Sequence, residues 1–247
     1  LIMAAVLADG ETIIENAAAE PEISDLAEFL NKQGAGISGM GSDTITITGV
    51  RSLTPCTHSV ISDRIEAGTF MSAFAITGGC GEILNVNPVH VKPVTAKLTE
   101  MGAVVTEHEN SIAVDARMPL SSANIKTLPF PGFPTDMQAQ FSALLCETEG
   151  TGIIVETVFE NRFLHIGELN RMGANIRIDG RSSVIEGSKK LSGSKVTAFD
   201  LRGGASLVLA GLCASGETEI SGVEHIERGY ENLCGKLSAL GANIFSE

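Results

Sequence analysis

The pair Gly-Ala recurs at Gly34-Ala35, Gly102-Ala103, Gly173-Ala174 and Gly241-Ala242, at spacings of 68, 71 and 68 residues. Self-similarity at a long fixed period constrains a chain strongly, because each copy must be a supersecondary unit that buries its apolar face against its neighbours. Counting back 11, 8, 4 and 1 places from Gly102 gives Val91, Val94, Leu98 and Met101. The same count from Gly241 gives Tyr230, Leu233, Leu237 and Leu240, and from Gly34 it gives Ile23, Leu26, Leu30 and Gln33. This spacing lays an apolar stripe along one face of a helix. The glycine then supplies the left-handed residue that stops it.

Upstream, each copy carries another apolar helix, a glycine and a short β-rich run: Thr12–Glu15, Glu82–Asn85, Ile153–Glu156 and Thr218–Ser221. Downstream come alternating strands such as Thr44–Thr48 and Ser111–Asp115. The unit reads helix, strand, helix, strand, strand, with a linking strand before the next copy. The expected class is α/β (α+β), with right-handed βαβ crossovers gathering the strands into one sheet under packed helices. A boundary falls near Val60 to Asp63, giving residues 1–61 as an incomplete last unit of a first domain and 62–247 as a second domain. The chain opens on Leu1 in mid-pattern and reads as a piece of something longer. The apolar opening Leu1–Ala8 reads as an ordinary buried helix.

The formal charge of −13 argues against general attraction to nucleic acid or to an anionic membrane. An anionic ligand would need locally gathered arginine or lysine. No apolar run reaches the length of a membrane span. The five cysteines, Cys56, Cys80, Cys146, Cys213 and Cys234, are odd in number and widely spaced, with no CxxC pair. They read as reduced, buried, intracellular thiols, not as a disulfide framework or a zinc site.

The third copy breaks the stripe: the places 11 and 8 before Gly173 are Arg162 and His165. Local rules fail most often at functional or strained sites, although a partly exposed helix start would give the same pattern. Asp63, Asp136 and Asp200 lie 16, 14 and 16 residues before Gly79, Gly150 and Gly216, each at a strand-to-helix junction. Helix capping alone explains an aspartate there. Thr135 with Gln138 reads as a capping box after Pro134. Asp200-Leu201-Arg202-Gly203-Gly204 offers a carboxylate and a guanidinium beside glycines. The turns entering the second helices add Glu20-Pro21-Glu22, Glu160-Asn161-Arg162 and His225-Ile226-Glu227-Arg228. Repeat symmetry brings these turns to one edge, where Arg162, Arg202 and Arg228 suit phosphate or carboxylate groups.

The segments Glu15–Glu22, Asp63–Phe70, Phe133–Gln138, Glu156–Phe163, Asp200–Arg202 and His225–Tyr230 resemble, in order and spacing, the enolpyruvyl transferase (EPSP synthase) family. Within it they are most similar to the UDP-N-acetylglucosamine 1-carboxyvinyltransferases. The resemblance covers essentially the whole chain. It implies six βαβαββ units in two domains, an inside-out α/β barrel arrangement with helices enclosed by sheets. It also implies a cytoplasmic enzyme that needs no cofactor and no metal. The implied reaction moves the enolpyruvyl group of phosphoenolpyruvate to the 3′-hydroxyl of UDP-N-acetylglucosamine and releases phosphate, committing carbon to peptidoglycan. Neither nucleic acid nor membrane is an implied partner.

Carried over by motif, Asp136 resembles the base that contacts the sugar hydroxyl. Asp200 and Arg202 resemble residues that support the intermediate and the closed form. Arg228 matches an arginine on the phosphoenolpyruvate side, and Arg162 one near the substrates. Val158 matches a UDP-sugar contact made through backbone, and Glu20 a carboxylate near the cleft. The family's proton-donating cysteine and N-terminal Lys-Asn pair match nothing here, so the chain alone is expected to be inactive without a missing N-terminal segment. The alternatives are 5-enolpyruvylshikimate-3-phosphate synthase and a non-catalytic UDP-sugar-binding repeat protein.

Overall fold

A computed structural model describes residues 1–187 and 190–246. The chain divides into two compact units, Leu1–Ser62 with Pro129–Gly132, and Asp63–Leu128 with Phe133–Glu247.

Unit one runs α1 (Ile2–Ala5), β1 (Glu11–Glu15), α2 (Pro21–Lys32), β2 (Gly36–Ser38) and β3 (Thr44–Thr48), with its strands in the antiparallel order β1-β3-β2. Ile2, Ala5 and Val6 join Ala27, Leu30, Ile37, Ile45 and Ile47 in its core. The opening helix is not the fully buried one expected: a single turn turns only one face inward, and Leu1, Met3 and Leu7 stay exposed.

Unit two carries three further copies. The first is α3 (Arg64–Ile76), β4 (Cys80–Leu84), α4 (Lys92–Met101), β5 (Val104–Glu107), β6 (Ser111–Asp115) and the linking β7 (Ile125–Lys126). The next is α5 (Gln138–Cys146), β8 (Thr151–Val155), α6 (Leu164–Arg171), β9 (Asn175–Asp179), β10 (Ser182–Glu186) and the linking β11 (Lys195–Thr197). The last is α7 (Leu201–Cys213), β12 (Glu219–Ser221), α8 (Glu224–Glu227) and α9 (Leu233–Ala239). Helices α3, α5 and α7 pack on one another, and all nine residues of α5 are buried. A helix that is apolar on every side belongs inside a core.

The Gly-Ala pairs end helices as expected. Gly34, Gly102, Gly173 and Gly241 have φ of +100°, +108°, +94° and +102°. In each copy the alanine N–H donates back to the carbonyl of the leucine four places before the glycine: Leu30, Leu98, Leu169 and Leu237, at 2.9–3.1 Å. This closing bond is the mark of a Schellman ending, and the same leucine is the buried stripe residue. In the last copy the stripe is cut. Tyr230 precedes the helix and Asn232, at φ +49°, caps α9, so His225–Glu227 form a separate helical turn.

The strands do not join one sheet. Each three-stranded meander closes on itself, as β4-β6-β5 and β8-β10-β9. Only the linking strands cross over: β7 pairs in parallel with β8 across α5, and β11 with β12 across α7. A short three-stranded antiparallel sheet pairs its central strand on both sides, and the crossover strand β7 adds to one of the two edges, β8. The cysteines are all free, but only Cys146 is buried as expected: Cys56, Cys213 and Cys234 are half-buried and Cys80 is exposed. Burial pushes the Cys146 and Cys213 thiols up to about 12, so neither is a ready nucleophile.

Leu98 and Leu240 occupy corresponding stripes, one fully buried and one 60 % exposed. Leu98→Ala should lower the unfolding free energy by about 2–5 kcal/mol, and Leu240→Ala by less than about 0.5 kcal/mol, in urea titrations.

Candidate active site

The junction aspartates take two different jobs. Asp63 caps α3, accepting from the N–H groups of Ile65 and Glu66 at 2.7 and 3.1 Å. Asp200 caps α7, accepting from those of Arg202 and Gly203 at 2.9 and 2.8 Å. In the third copy a 3-10 turn, Thr135–Met137, precedes α5, which has no side-chain cap. The expected capping box is therefore absent. Gln138 is buried, and the Thr135 hydroxyl turns to side chains instead.

Freed from capping, the Asp136 carboxylate is held by two guanidinium groups. Arg162 Nη1 donates to its Oδ1 at 2.8 Å and Arg202 Nη2 to its Oδ2 at 3.2 Å. Burial alone would raise the carboxyl pKa. Attraction to Arg202 and the hydrogen bond and charge of Arg162 outweigh it, and the net position is below the ordinary 3.8. Two positive charges thus face one negative charge in a strongly acidic chain.

Each arginine is braced. Arg162 also donates from Nη1 to Thr135 Oγ1 at 2.9 Å, and it lies over the Phe159 ring at 4.9 Å. Thr135 in turn donates to Glu156 Oε2 at 2.8 Å. Glu156 is fully buried at the end of β8 and accepts further bonds from Thr127 Oγ1 at 2.8 Å and the N–H groups of Val158 and Phe159 at 2.8 and 3.1 Å. Burial opposes its charge, but these four donors overcome that and hold its pKa below the ordinary 4.5. Arg202 projects from the first turn of α7, which Asp200 fixes, and it sits over the Tyr230 ring at 5.4 Å.

His165 is buried on α6 beside this cluster. Burial drives its pKa down to about 4; the Asp200 carboxylate opposes this and the Arg162 charge reinforces it. The imidazole is neutral at neutral pH, and its Nε2 has no hydrogen-bond partner among the described residues.

The family model for EPSP synthase (3-phosphoshikimate 1-carboxyvinyltransferase) matches residues 1–237. The chain belongs to the EPSP synthase family. Among curated relatives in that family, UDP-N-acetylglucosamine 1-carboxyvinyltransferase 2 of Clostridium tetani is 57 % identical over 245 residues, 99 % of this chain and 59 % of the relative. UDP-N-acetylglucosamine 1-carboxyvinyltransferase 1 of Caldanaerobacter subterraneus subsp. tengcongensis is 58 % identical over the same shares. The chain thus spans about three-fifths of the length of these relatives. The solved enolpyruvyl transferase NikO of Streptomyces tendae superposes with a TM-score of 0.87 at 28 % identity, over 98 % of this chain and 58 % of that one. An EPSP synthase from Acinetobacter baumannii, at 22 % identity and TM-score 0.74 over 100 % and 60 %, shares the fold.

Of the family positions read from sequence, Asp136, Arg162 and Arg202 meet directly, and Asp200 meets them through the backbone of Arg202. Val158 commits its N–H to Glu156. Arg228 is exposed just past α8, which packs on α7, and makes no ion pair among the described residues. Glu20 lies in unit one, where its Oε1 is 3.5 Å from the Phe130 N–H. Sequence reasoning gave Thr135 only a helix cap and Tyr230 only a place in the apolar stripe, and it assigned no part to Glu156 or Phe159. Glu156 stood at a strand end like Glu15 in the first copy, which gave no hint of its four donors.

Glu156→Ala should destabilise unit two by about 3–5 kcal/mol in denaturant titrations, because it strands several buried donors. For His165 the folded pKa lies below the ordinary 6.5, so its stabilisation is complete above 6.5 and is lost as the pH falls toward about 4. Stability should decline through that window by up to about 1.4 kcal/mol per pH unit. His165→Leu, which restores the residue type of Leu26 and Leu233, should flatten that slope in urea titrations run across it.

Proposed function

We propose that this chain supplies most of an enzyme transferring the enolpyruvyl group of phosphoenolpyruvate to the 3′-hydroxyl of UDP-N-acetylglucosamine. Phosphate leaves, and the step is a cytoplasmic one that commits carbon to peptidoglycan. The carrying observation is Asp136, released from helix capping and held between Arg162 and Arg202. The names of the relatives at 57 and 58 % identity support the sugar nucleotide as acceptor. The all-round burial of α5 supports reading unit two as an inside-out α/β barrel.

In this reading Asp136 takes the proton of the sugar 3′-hydroxyl as its oxygen bonds to C2 of the enol phosphate. The methylene carbon gains a proton from an acid outside the described residues, giving a tetrahedral phosphate ester. Loss of a proton from that carbon and of phosphate from C2 restores the double bond. Arg162, Arg202 and Arg228 face the phosphate and carboxylate charges, which a preorganised cation stabilises best in a site closed to water. Arg202 Nη1 is buried without an acceptor among the described residues, which supports a ligand oxygen there. Since the Val158 N–H is taken, its carbonyl is left for the nucleotide sugar.

A carboxylate clamped by two arginines is a weak base. An opposite charge within reach lowers such a pKa by about 1–3 units. Anionic substrates that draw either arginine away therefore raise the basicity of Asp136 only once they are bound.

The test grafts this chain in place of the matching residues of the Clostridium tetani relative. The chimera should release phosphate from phosphoenolpyruvate with UDP-N-acetylglucosamine and not with shikimate 3-phosphate. Asp136→Asn should cut kcat roughly 100- to 10,000-fold with a far smaller change in KM for the sugar nucleotide. A folded chimera that prefers shikimate 3-phosphate, or an unimpaired Asp136→Asn, would refute the reading.

A further inference from the structure

Arg202 has few polar anchors for so buried a guanidinium. Its side chain is 11 % exposed, its one carboxylate contact among the described residues is the 3.2 Å hydrogen bond with Asp136, the Tyr230 hydroxyl adds a favourable interaction, and Nη1 has no acceptor among those residues. What lies against it is the Tyr230 ring, 5.4 Å from Cζ. Tyr230 is the only tyrosine of the chain and is 1 % exposed.

That ring is itself pinned. The Tyr230 hydroxyl shares a 2.9 Å hydrogen bond with Thr69 Oγ1, and Gln140 Nε2 donates to it at 3.3 Å and to Thr69 Oγ1 at 3.1 Å. Thr69 Oγ1 donates its own proton to the Ile65 carbonyl at 2.8 Å, so the tyrosine must be the donor to Thr69. Thr69 lies on α3, Gln140 on α5 and Arg202 on α7, so one phenol ties together the three core helices. Two glycines let the segment approach. A Cβ on Gly229 would meet Leu201 Cδ2 at 2.7 Å, and one on Gly204 would meet Ile226 Cγ1 at 2.5 Å.

We infer that Tyr230 is a positioning residue: its ring, locked by Thr69 and Gln140, aims the Arg202 guanidinium at Asp136. The inference deepens the proposed function, and its consequence for turnover rests on that reading. The aim itself can be read without any substrate. Stacking and a desolvated cation–π contact hold a planar guanidinium in one pose where hydrogen bonds are few.

The test follows the Asp136 carboxyl carbon by NMR through a pH titration of the chain labelled at aspartate. Arg202→Gln sets the full upward shift expected when that cation is lost, about 1–3 pH units. Tyr230→Leu should give at least half of that shift. Tyr230→Phe, which keeps the ring but not its lock, should give a smaller one, and so should Thr69→Val. Amide spectra and thermal midpoints identify the variants that remain folded. Should Tyr230→Leu fail to fold, Tyr230→Phe and Thr69→Val decide. An Asp136 titration unchanged in the folded variants would overturn the inference. Calorimetric titration of the same proteins with UDP-N-acetylglucosamine and phosphoenolpyruvate separates the two ideas. A shifted Asp136 with no binding by the parent chain upholds the positioning role and counts against the substrate reading. Binding with an unshifted Asp136 does the reverse.

Discussion

A glycine in the left-handed region, followed by an alanine whose N–H returns to a buried leucine carbonyl, is the bond on which the repeat is built. It stops the second helix of every copy at the point where its apolar stripe has been spent. The chain can then turn back as a strand without leaving carbonyls unpaired in the core. The same leucine supplies both the acceptor and the packing contact. Helix length and helix docking are thereby set together, and a copy cannot slip by a residue without losing both.

Because the copies share that closure, their differences stand out. The first helix of a copy begins on an aspartate, and α3 and α7 use it in the ordinary way. In the third copy the interval from aspartate to glycine is 14 residues where its sisters have 16. The structure spends the altered entrance on a 3-10 turn, and the carboxylate is left over. The interval was legible in the sequence, where it read as ordinary capping, and so was the Arg162 and His165 break in the stripe; the candidate site residues themselves came from the family resemblance. What they could not reveal was which atoms meet. The Thr135 oxygen had a reasonable local donor in the Gln138 N–H, but it accepts from the Arg162 guanidinium instead, while its own proton goes to the buried charge of Glu156. Tertiary competition of this kind has no periodicity, so no pattern along the chain announces it. The single sheet expected from βαβ reasoning failed for a related reason. A meander that satisfies its own ladder gains little by merging, and only the linking strands remained to pair with the following copy.

The polar interior of unit two shows how burial is tolerated. Glu156 keeps its charge because two hydroxyls and two backbone N–H groups surround it. His165, offered no such partner, sheds its proton instead. Both outcomes follow from the cost of an unpaired charge away from water. They also keep a third positive charge away from Arg162, which a protonated His165 would stand beside.

Burial explains why the Asp136 carboxylate and the two guanidinium groups need one another. Two partly buried arginines without a counter-charge would repel each other and leave their desolvation uncompensated. Asp136 offsets this and so serves as a structural anion. In the proposed reaction an incoming phosphate takes over that role, because it presents more oxygens to the same forks. That exchange would release Asp136 from its clamp. A single carboxylate can thus hold the site in shape and later accept a proton, provided the arginines keep their aim when it lets them go. Their bracing by Phe159 and Tyr230, which does not depend on Asp136, meets that requirement.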